Sequence, residues 1–360
     1  MTGQPATNGS HPRWTVGIAC SRTTEELYLG QVDRHRLAGF ADVVVKNFDV
    51  VAPSMDHTPY VAAVEDEFAD FVSGLDILLV CHGSPRVTER VLATAPRLLA
   101  IGELEGDRFA SRIDVAAARR QEVLVVDSTH SSSWPVAEWA LGLALLGLRE
   151  HARFRDIIAG HEMDHSDYRT SAPARELTGR RVGLIGFGHI AWRLRELLTP
   201  FRVELCAHDP YAPRELADAL DIDFVGLRRV MEQDVVICLA PETAETRGMI
   251  GAEQLSWLQP EAVFVNVSRG SIVQTPALID KASRGDAWFC LDAHDPEPIA
   301  VDSPLRAMRN VFLSPHIGGM TREAQPRFFS LMVDELERIH RGHEPRAQLT
   351  SRVLAGRNGV

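Results

Sequence analysis

The sequence is poor in cysteine, has no excess of basic residues and lacks a long apolar run, and each absence excludes a class of protein. Its five cysteines lie far apart and form no C-x-x-C pair: Cys20, Cys81, Cys206, Cys238 and Cys290. We therefore expect reduced, packed thiols and neither a disulfide framework nor a zinc site. Lys and Arg number 38 against 49 Asp and Glu, and an acidic chain of this kind repels the phosphates of nucleic acids.

The start of the chain has none of the features of a targeting signal. Residues 1–13 are polar and have no apolar core of the kind that a signal peptide needs. The longest apolar run, residues 139–148, is about half of the ~20 residues that cross a bilayer. We expect a cytoplasmic protein that binds neither membrane nor nucleic acid and holds no metal.

The order of apolar segments predicts the fold class. The 360 residues exceed twice the ~150 of a typical domain, which predicts two domains. Short apolar runs typical of strands alternate with longer amphipathic segments. The predicted strands are residues 15–20, 43–50, 77–81, 98–101, 123–126, 181–185, 203–207, 235–239, 263–267, 288–291 and 311–313. This alternation predicts an α/β protein with two doubly wound parallel sheets.

Helices and a linker are predicted between these strands. Residues 86–95, 191–198 and 275–283 have helical patterns. Residues 134–151 are too apolar for a surface helix, which favours a position between domains or between subunits. Residues 159–174 are polar and contain Pro173, so we predict a linker loop that leads into the second domain.

A glycine-rich segment gives the most specific short signal. Gly186, Gly188 and Ala191 form a G-x-G-x-x-A pattern between a predicted strand and a predicted helix. Gly186 would allow a tight turn, Gly188 would let the backbone approach a pyrophosphate, and Ala191 would keep the helix close to the strand. The amides of His189 and Ile190 would then face the phosphates at the helix N-terminus. The pattern predicts a dinucleotide site.

The acid after the next strand favours NAD. Asp209 lies 21 residues after Gly188, close to the ~20 expected for the carboxylate that binds the ribose hydroxyls. Its charge would repel the 2′-phosphate of NADP, whereas Arg214 just beyond the strand could pair with that phosphate. NADP is therefore less favoured than NAD. The alternative, purely structural role of Asp209 is that of an acidic residue in a turn before Pro210.

Three further predicted strands are each followed by a side chain able to take part in catalysis. Arg269 follows the strand at residues 263–267, Glu297 lies beyond the strand at 288–291, and His316 follows the strand at 311–313. In an open parallel sheet such strand ends line the ligand crevice. An arginine, a carboxylate and a histidine beside a nicotinamide would suffice for hydride transfer at a carbinol carbon.

With these motifs in order, the sequence resembles the D-isomer-specific 2-hydroxyacid dehydrogenase family, related to phosphoglycerate and glyoxylate/hydroxypyruvate enzymes. The resemblance covers roughly residues 75–335. The matching segments are residues 136–138, 183–191, 240–246, 266–271, 291–298 and 314–319.

The resemblance implies roles for the catalytic residues. His316 would be the acid/base that gives a proton to the 2-keto oxygen, and Glu297 would hydrogen-bond its imidazole and fix its tautomer. Arg269 would bind the substrate carboxylate and carbonyl. The implied function is an NAD-dependent oxidoreductase that interconverts a 2-keto acid and its D-2-hydroxy acid.

The resemblance also extends the cofactor site and sets the domain plan. Asp292 would contact the nicotinamide side of the cofactor, and the other residues implied to bind NAD are Ala240, Thr246, Val267, Ser268, Gly318 and Gly319. A Rossmann domain at residues 147–317 would be inserted into a flavodoxin-like substrate domain made of residues 1–146 and 318–360. The apolar segment 139–148 would connect them and pack across the two-fold axis of a homodimer.

The substrate domain departs from the family pattern. Relatives usually have a Gly-x-Gly-x-Asp loop whose amides bind the substrate carboxylate, but residues 102–114 keep one further glycine, carry more charge and are about two residues longer. Carboxylate binding by this loop is therefore not carried over. His82 and Gly83, which lie where relatives often have Arg-Ser, and Arg108 are the candidate substrate residues. Arg86 and Arg112 are further candidates for an additional anionic group, and loop charges facing water are the alternative.

Two other functions stay open at this point. Formate-dehydrogenase-like chemistry is disfavoured because those relatives have glutamine where Glu297 stands. A non-catalytic, NAD(H)-sensing protein of the corepressor type is favoured by the altered loop at residues 102–114 and disfavoured by the complete set Arg269, Glu297 and His316.

Overall fold

The computed structural model describes residues 13–51, 58–106, 108–151, 155, 159–160, 174–213 and 215–355. The chain forms two compact units: residues up to 131 with 322–353, and residues 132–321 with the chain end from 354. Apart from its ends, the predicted linker at residues 159–174 lies outside the described residues.

Twelve strands are present in the described part of the chain. They are β1 (Trp14–Cys20), β2 (Ala41–Asn47), β3 (Ile77–Val80), β4 (Ala100–Glu103), β5 (Leu124–Asp127), β6 (Arg181–Ile185), β7 (Glu204–His208), β8 (Asp223–Phe224), β9 (Val235–Cys238), β10 (Val263–Asn266), β11 (Trp288–Leu291) and β12 (Val311–Leu313). All eleven predicted strands are confirmed within a few residues. The two-residue strand β8 was not predicted, because it is too short to give an apolar run.

Fourteen α-helices lie between or after these strands in the described residues. They are α1 (Arg22–Tyr28), α2 (Gln31–Ala38), α3 (Ala62–Val72), α4 (Glu89–Ala93), α5 (Phe109–Arg112), α6 (Val115–Arg120), α7 (Ser133–Leu148), α8 (His189–Leu198), α9 (Glu215–Leu220), α10 (Leu227–Met231), α11 (Ala252–Ser256), α12 (Thr275–Ser283), α13 (Ala324–His340) and α14 (Ser351–Ala355).

The first unit is a five-stranded parallel sheet in the order β2-β1-β3-β4-β5. This is the flavodoxin-like order, in which the direction of winding reverses between β1 and β3. The strands β3 and β4 are buried throughout, as expected for a sheet covered on both faces. Helix α13 returns the chain to this unit and buries Phe328, Phe329 and Met332 in its core.

The second unit is a seven-stranded parallel sheet in the order β12-β11-β10-β9-β6-β7-β8. Counted from β6, this is the 3-2-1-4-5-6 order of dinucleotide-binding folds with one added strand, and its winding reverses between β6 and β9. The two sheets together confirm the predicted fold class. The carboxyl ends of β6, β7, β9, β10, β11 and β12 carry the candidate site.

The apolar helix α7 belongs to the second unit. Its residues Ala140, Leu143 and Ala144 are buried in one core with strands β6, β9 and β10. The chain therefore passes from the first unit to the second near residue 131, and not at the predicted 146–147, because this helix covers the second sheet. The return lies near residue 321, close to the predicted 317–318.

The five cysteines are free and buried, as predicted. Burial raises the pKa of the Cys238 thiol to about 11 and that of the Cys206 thiol also to about 11, so both stay protonated and poorly reactive at neutral pH. Among the helices in the described residues, none has the length and apolar character to cross a membrane.

Candidate active site

The glycine loop after β6 has the conformation that its sequence predicts. Gly186 has a φ of +91° and donates its amide to the carbonyl of His208 at 2.8 Å. A Cβ at this position would lie 2.7 Å from the Cα of Ala240, so the tight turn and the approach of β9 both require glycine. A Cβ at Gly188 would meet nothing within 4 Å, which leaves open space above the start of α8 where a ligand can approach the backbone.

The start of helix α8 fits a dinucleotide phosphate. Gly188 is the residue that caps the helix, and His189 and Ile190 form its first turn. Ala191 is fully buried in the core beneath them, so the helix lies close to the sheet. The amides of this turn and the open space at Gly188 together suit a pyrophosphate.

Asp209 joins the end of β7 to the glycine loop. Its Oδ2 accepts from the Phe187 amide at 2.8 Å, and its Oδ1 accepts from the amides of Tyr211 at 2.9 Å and Ala212 at 3.1 Å. Asp209 therefore has the structural role in a turn that was the alternative to cofactor binding. This role is compatible with the predicted contact with a ribose, because each carboxylate oxygen can accept more than one hydrogen bond. Arg214 lies outside the described residues.

The loop after β9 is closed by two threonines. The Thr246 hydroxyl donates to the Pro241 carbonyl at 2.6 Å and accepts from the Thr243 amide at 2.8 Å. The bonding is reciprocal, because the Thr243 hydroxyl accepts from the Thr246 amide at 3.1 Å. The predicted cofactor residues Ala240 and Thr246 therefore lie on a loop that its own side chains fix.

Asn266 organises the loop that carries Arg269, a role that sequence reasoning missed. Its Oδ1 accepts from the Ser268 amide at 3.0 Å and from the Ser268 hydroxyl at 2.9 Å, while its Nδ2 donates to the Arg269 carbonyl at 3.0 Å. Val267 and Ser268 are buried, and Arg269 is partly exposed. An asparagine that ends a fully apolar strand was the available signal, since such a residue needs partners when buried.

His316 and Glu297 are in direct contact. The imidazole Nδ1 lies 2.7 Å from Oε1 of Glu297, and the two side chains are 13% and 15% exposed. A carboxylate only accepts, so Nδ1 carries the hydrogen of this bond. Nε2 has no hydrogen-bond partner among the described residues, which leaves it for a proton transfer. The backbone of His316 has a φ of +55°, a region that non-glycine residues enter rarely and often at functional sites.

Asp292 holds the turn that contains His316. Its Oδ1 accepts from the Ser314 hydroxyl at 2.5 Å and the Ile317 amide at 3.0 Å, and its Oδ2 accepts from the Gly318 amide at 2.9 Å. The side chain is 1% exposed. The family resemblance implied a contact of Asp292 with the nicotinamide side of a cofactor; within the described chain its carboxylate holds residues 314–318 in place.

The catalytic candidates follow adjacent strands. In the second sheet β10, β11 and β12 are neighbours, and they lead to Arg269, Glu297 and His316 respectively. Gly270 lies against the peptide between His294 and Asp295, where a Cβ would come 1.9 Å from the His294 carbonyl carbon. The structure thus connects all three segments. Gly319, at the end of this set, lies near Ser132 at the start of α7.

The predicted substrate residues follow β3 and β4 in the first unit. His82 is exposed, and its carbonyl accepts from the amide of Ser21 at 2.8 Å. Gly83 has a φ of +89°, and a Cβ there would lie 2.5 Å from the nitrogen of Ser21, so this loop also requires glycine. Arg108 is 7% exposed at the start of α5.

In the altered loop after β4, the side chain of Glu103 occupies backbone amides of the loop itself. The fully buried Glu103 accepts from the amides of Glu105 at 3.1 Å and Gly106 at 2.7 Å. Arg112 is ion-paired with both Glu103 and Glu105, so its charge is balanced within the loop and it does not provide the free cation that was considered for a second anionic group. Backbone amides that would be free in a glycine-rich loop are here engaged by a side chain.

The buried Glu103 predicts a pH dependence of stability. Burial raises the pKa of its carboxyl above the ordinary value, while the Arg112 guanidinium opposes the shift. Between the ordinary and the raised pKa, the folded protein holds a proton that the unfolded chain has lost. The free energy of unfolding should therefore fall as pH rises through this window, by up to about 1.4 kcal/mol per pH unit.

Urea titrations of the native chain and Glu103→Gln from pH 5 to pH 8 check this dependence. The glutamine variant cannot ionise at this position, so its stability relative to the native chain should improve as pH rises. Parallel stability profiles for the two proteins would contradict the assignment to Glu103.

The described residues contain no group of three or more His, Cys, Asp or Glu side chains arranged to hold a metal ion.

Comparison with known proteins adds an independent observation. Residues 141–318 match the family model described as D-isomer specific 2-hydroxyacid dehydrogenase, NAD binding domain. The chain is 30% identical over 282 residues to an (S)-sulfolactate dehydrogenase of Chromohalobacter salexigens, covering 76% of this chain and 88% of that protein.

A second relative is longer than this chain. It is a D-3-phosphoglycerate dehydrogenase of Methanocaldococcus jannaschii, 29% identical over 281 residues, which are 77% of this chain and 52% of that protein. The chain spans about half the length of the phosphoglycerate dehydrogenases that it matches.

The fold is also similar to solved structures. A phosphoglycerate oxidoreductase from Rhizobium etli superposes with a TM-score of 0.75 at 21% identity, over 95% of this chain and 100% of that one. At this identity the likeness establishes the fold alone.

Proposed function

Because the chain belongs to the D-isomer-specific 2-hydroxyacid dehydrogenase family, we propose that it is an NAD-dependent oxidoreductase that interconverts a 2-oxo acid and its D-2-hydroxy acid. The observation that carries the proposal is the hydrogen bond between His316 Nδ1 and Glu297 at 2.7 Å. It leaves Nε2 as the nitrogen that exchanges a proton with the substrate oxygen.

Each catalytic side chain has one task in this proposal. The Arg269 guanidinium binds the substrate carboxylate and draws electron density towards the C2 oxygen. Protonated His316 donates from Nε2 to that oxygen as it gains negative charge, and in the reverse direction it accepts the proton. Glu297 keeps the imidazole oriented and stabilises its charged form. When bound, NADH supplies the hydride that reduces C2.

The second unit is proposed to hold the cofactor. The amides of His189 and Ile190 would bind the pyrophosphate above Gly186 and Gly188, and Asp209 would accept from the ribose hydroxyls. Further candidates to line this site are Ala240, Thr246, Val267, Ser268, Asp292, Gly318 and Gly319. The first unit is proposed as the substrate domain, with His82, Gly83 and Arg108 as candidate binding residues.

The substrate class follows from the relatives' names and remains a proposal. Relatives act on D-3-phosphoglycerate and (S)-sulfolactate, as their names state, and both compounds are 2-hydroxy acids with a second anionic group. We propose a small 2-oxo acid as substrate for the chain. Because Arg112 is ion-paired with Glu103 in the loop after β4, we propose that other residues bind the anionic groups of the substrate.

An absorbance assay tests the proposed function. NADH oxidation should be measured at 340 nm with a panel of 2-oxo acids, and NAD reduction with D-3-phosphoglycerate, (S)-sulfolactate and formate. We expect turnover with at least one 2-oxo or 2-hydroxy acid and none with formate. NADH binding without turnover of any acid would favour the sensing protein, and formate oxidation would favour the formate-dehydrogenase alternative.

Asp209 gives a prediction on cofactor choice. The native chain should bind NADH more tightly than NADPH, because the Asp209 carboxylate repels a 2′-phosphate. Asp209→Ser should weaken NADH binding about tenfold, the ~1.4 kcal/mol of one hydrogen bond to a charged group, and reduce the preference over NADPH. Fluorescence titration with both cofactors measures this, with Asp218→Ser, on the exposed side of α9, as the control of equal charge. Equal binding of both cofactors by the native chain would contradict it.

A homodimer is proposed on the character of helix α7. Its residues Leu141, Leu145 and Leu146 are only partly buried within the described chain, and a second copy would cover them. Sedimentation equilibrium should give twice the mass of one chain; a monomer at micromolar concentration would overturn this assignment.

A further inference from the structure

The segment between Asp292 and Glu297 contacts both neighbouring segments that carry proposed catalytic side chains. On one side, the peptide after His294 lies against Gly270, so closely that a Cβ on the glycine would come 2.0 Å from the His294 carbonyl oxygen. On the other side, Nε2 of the His294 ring lies 2.8 Å from the carbonyl oxygen of Ser314. His294 therefore touches the segment of Arg269 with its backbone and the segment of His316 with its ring.

We infer that His294 is a positioning residue, whose ring fixes Ser314 so that the His316 imidazole stays in contact with Glu297. The catalytic meaning of this inference rests on the proposed function. Its structural part, the effect of the His294 ring on the bond between His316 and Glu297, rests on the geometry alone.

The chemistry of the contact explains why a hydrogen-bond donor is needed at this position. A carbonyl oxygen only accepts, so Nε2 of His294 carries the hydrogen. Ser314 is 5% exposed, and its amide and hydroxyl are already used, by the Leu291 carbonyl at 3.0 Å and by Asp292 at 2.5 Å. Without the ring, the Ser314 carbonyl would lose its described partner in a nearly water-free place, and unpaired buried carbonyls are strongly disfavoured.

The effect on His316 follows from the chain between the two residues. Only Pro315 separates Ser314 from His316, and its ring fixes φ, so a shift of Ser314 is passed on and not absorbed. The bond to be preserved is 2.7 Å long, and catalytic groups lose efficiency when displaced by as little as 1 Å.

A second contact anchors the same segment more weakly. The Thr275 hydroxyl donates to the Asp295 carbonyl at 2.7 Å in an exposed position. Water can replace this hydrogen bond only in part, because it does not tie the Asp295 carbonyl to helix α12, so Thr275 provides a milder variant that loosens the segment without exposing the Ser314 carbonyl.

Two variants of similar length separate the hydrogen bond from the volume of the ring. His294→Gln keeps an N–H donor that can reach Ser314, and His294→Met has none. The first readout is the downfield proton resonance of the His316 Nδ1–H, assigned by its absence in His316→Ala. It reports the contact with Glu297 whether or not the protein turns over a 2-oxo acid. The matched control is His208→Met, because His208 Nδ1 also contacts a backbone carbonyl, that of Val225 at 3.0 Å, in another part of the unit.

We expect the resonance to persist in His294→Gln and His208→Met and to broaden or vanish in His294→Met. In the assay for the 2-oxo acid, His294→Met should lower kcat about 30-fold with the KM for NADH unchanged, and His294→Gln should stay within about threefold of the native kcat. An unchanged resonance in His294→Met overturns the inference, as does equal loss in the glutamine and methionine variants.

Thr275→Val decides the question if His294→Met does not fold. Thr275→Val should weaken the His316 resonance and lower kcat about threefold. If the resonance is unchanged in Thr275→Val and in His294→Gln alike, the inference is overturned. A chain that turns over no 2-oxo acid but loses the resonance in His294→Met refutes the proposed function and leaves the positioning role intact.

Discussion

Replacing His316 by alanine should lower kcat/KM for the 2-oxo acid by about 10³, within the 10² to 10⁴ that general acid–base catalysis contributes. The loss should appear in kcat, because in the proposed mechanism the imidazole Nε2 serves the proton transfer and is not needed to hold the cofactor. Stopped-flow measurement of NADH oxidation gives kcat, and fluorescence titration gives the affinity for NADH, which should stay within twofold of the native value.

Glu297→Gln provides the internal comparison for His316. Glutamine can still accept from His316 Nδ1, over the distance of 2.7 Å that the carboxylate spans, but it brings no charge to stabilise an imidazolium. We expect a loss of about tenfold, smaller than that of His316→Ala. A His316→Ala variant with native kcat would remove the imidazole from the mechanism, and equal losses in both variants would contradict the separate roles.

Replacing Arg269 should have the second large effect. Arg269→Met should lower kcat/KM for the 2-oxo acid by about 10³, because it removes both the partner of the carboxylate and a donor to the developing oxyanion. Arg269→Lys should recover part of this, to about 10² below native, since a single ammonium cannot form the two parallel hydrogen bonds of a guanidinium. Steady-state kinetics with varied 2-oxo acid at saturating NADH measures both.

Arg284→Met is the matched control for Arg269. Arg284 is an exposed arginine of the same unit, paired with Asp280 at 2.6 Å, and exposed pairs contribute little to stability. Its loss should change kcat/KM less than twofold. If Arg269→Met also turns over at the native rate, the carboxylate is bound by another group and the assignment fails.

The fold could be predicted from the sequence because the central strands of both sheets are buried on both faces. Continuous apolar runs such as those of β3 and β10 leave no choice of exposed face, and helices between them require parallel pairing. Two features of the fold could not be predicted from the sequence. Helix α7 is apolar on most sides, so its pattern did not say which sheet it covers. The strand β8, Asp223–Phe224, is held by pairing with β7 and not by its own sequence.

The candidate site was predicted in part. The dinucleotide loop followed from a glycine pattern with a definite spacing, and the bond between His316 and Glu297 was implied by the family resemblance. The contacts of Asp292 and His294 with residues 314–318 did not, because they join segments about 20 residues apart whose distance depends on the pairing of β11 with β12. Likewise, the sequence marked the loop at residues 102–114 as unusual, but only the structure reveals that Glu103 takes up the amides of its own loop.

Transfer of an isotopic label tests whether NADH delivers its hydride to C2 of a 2-oxo acid on this protein. The protein should be incubated with NADH deuterated at the transferred position and with the 2-oxo acid that gives the highest rate, and the product analysed by mass spectrometry and chiral chromatography. We expect one deuterium, bound to C2 of a hydroxy acid of the D configuration. A product without deuterium at C2, or NADH that stays bound and unoxidised with every acid, would contradict it.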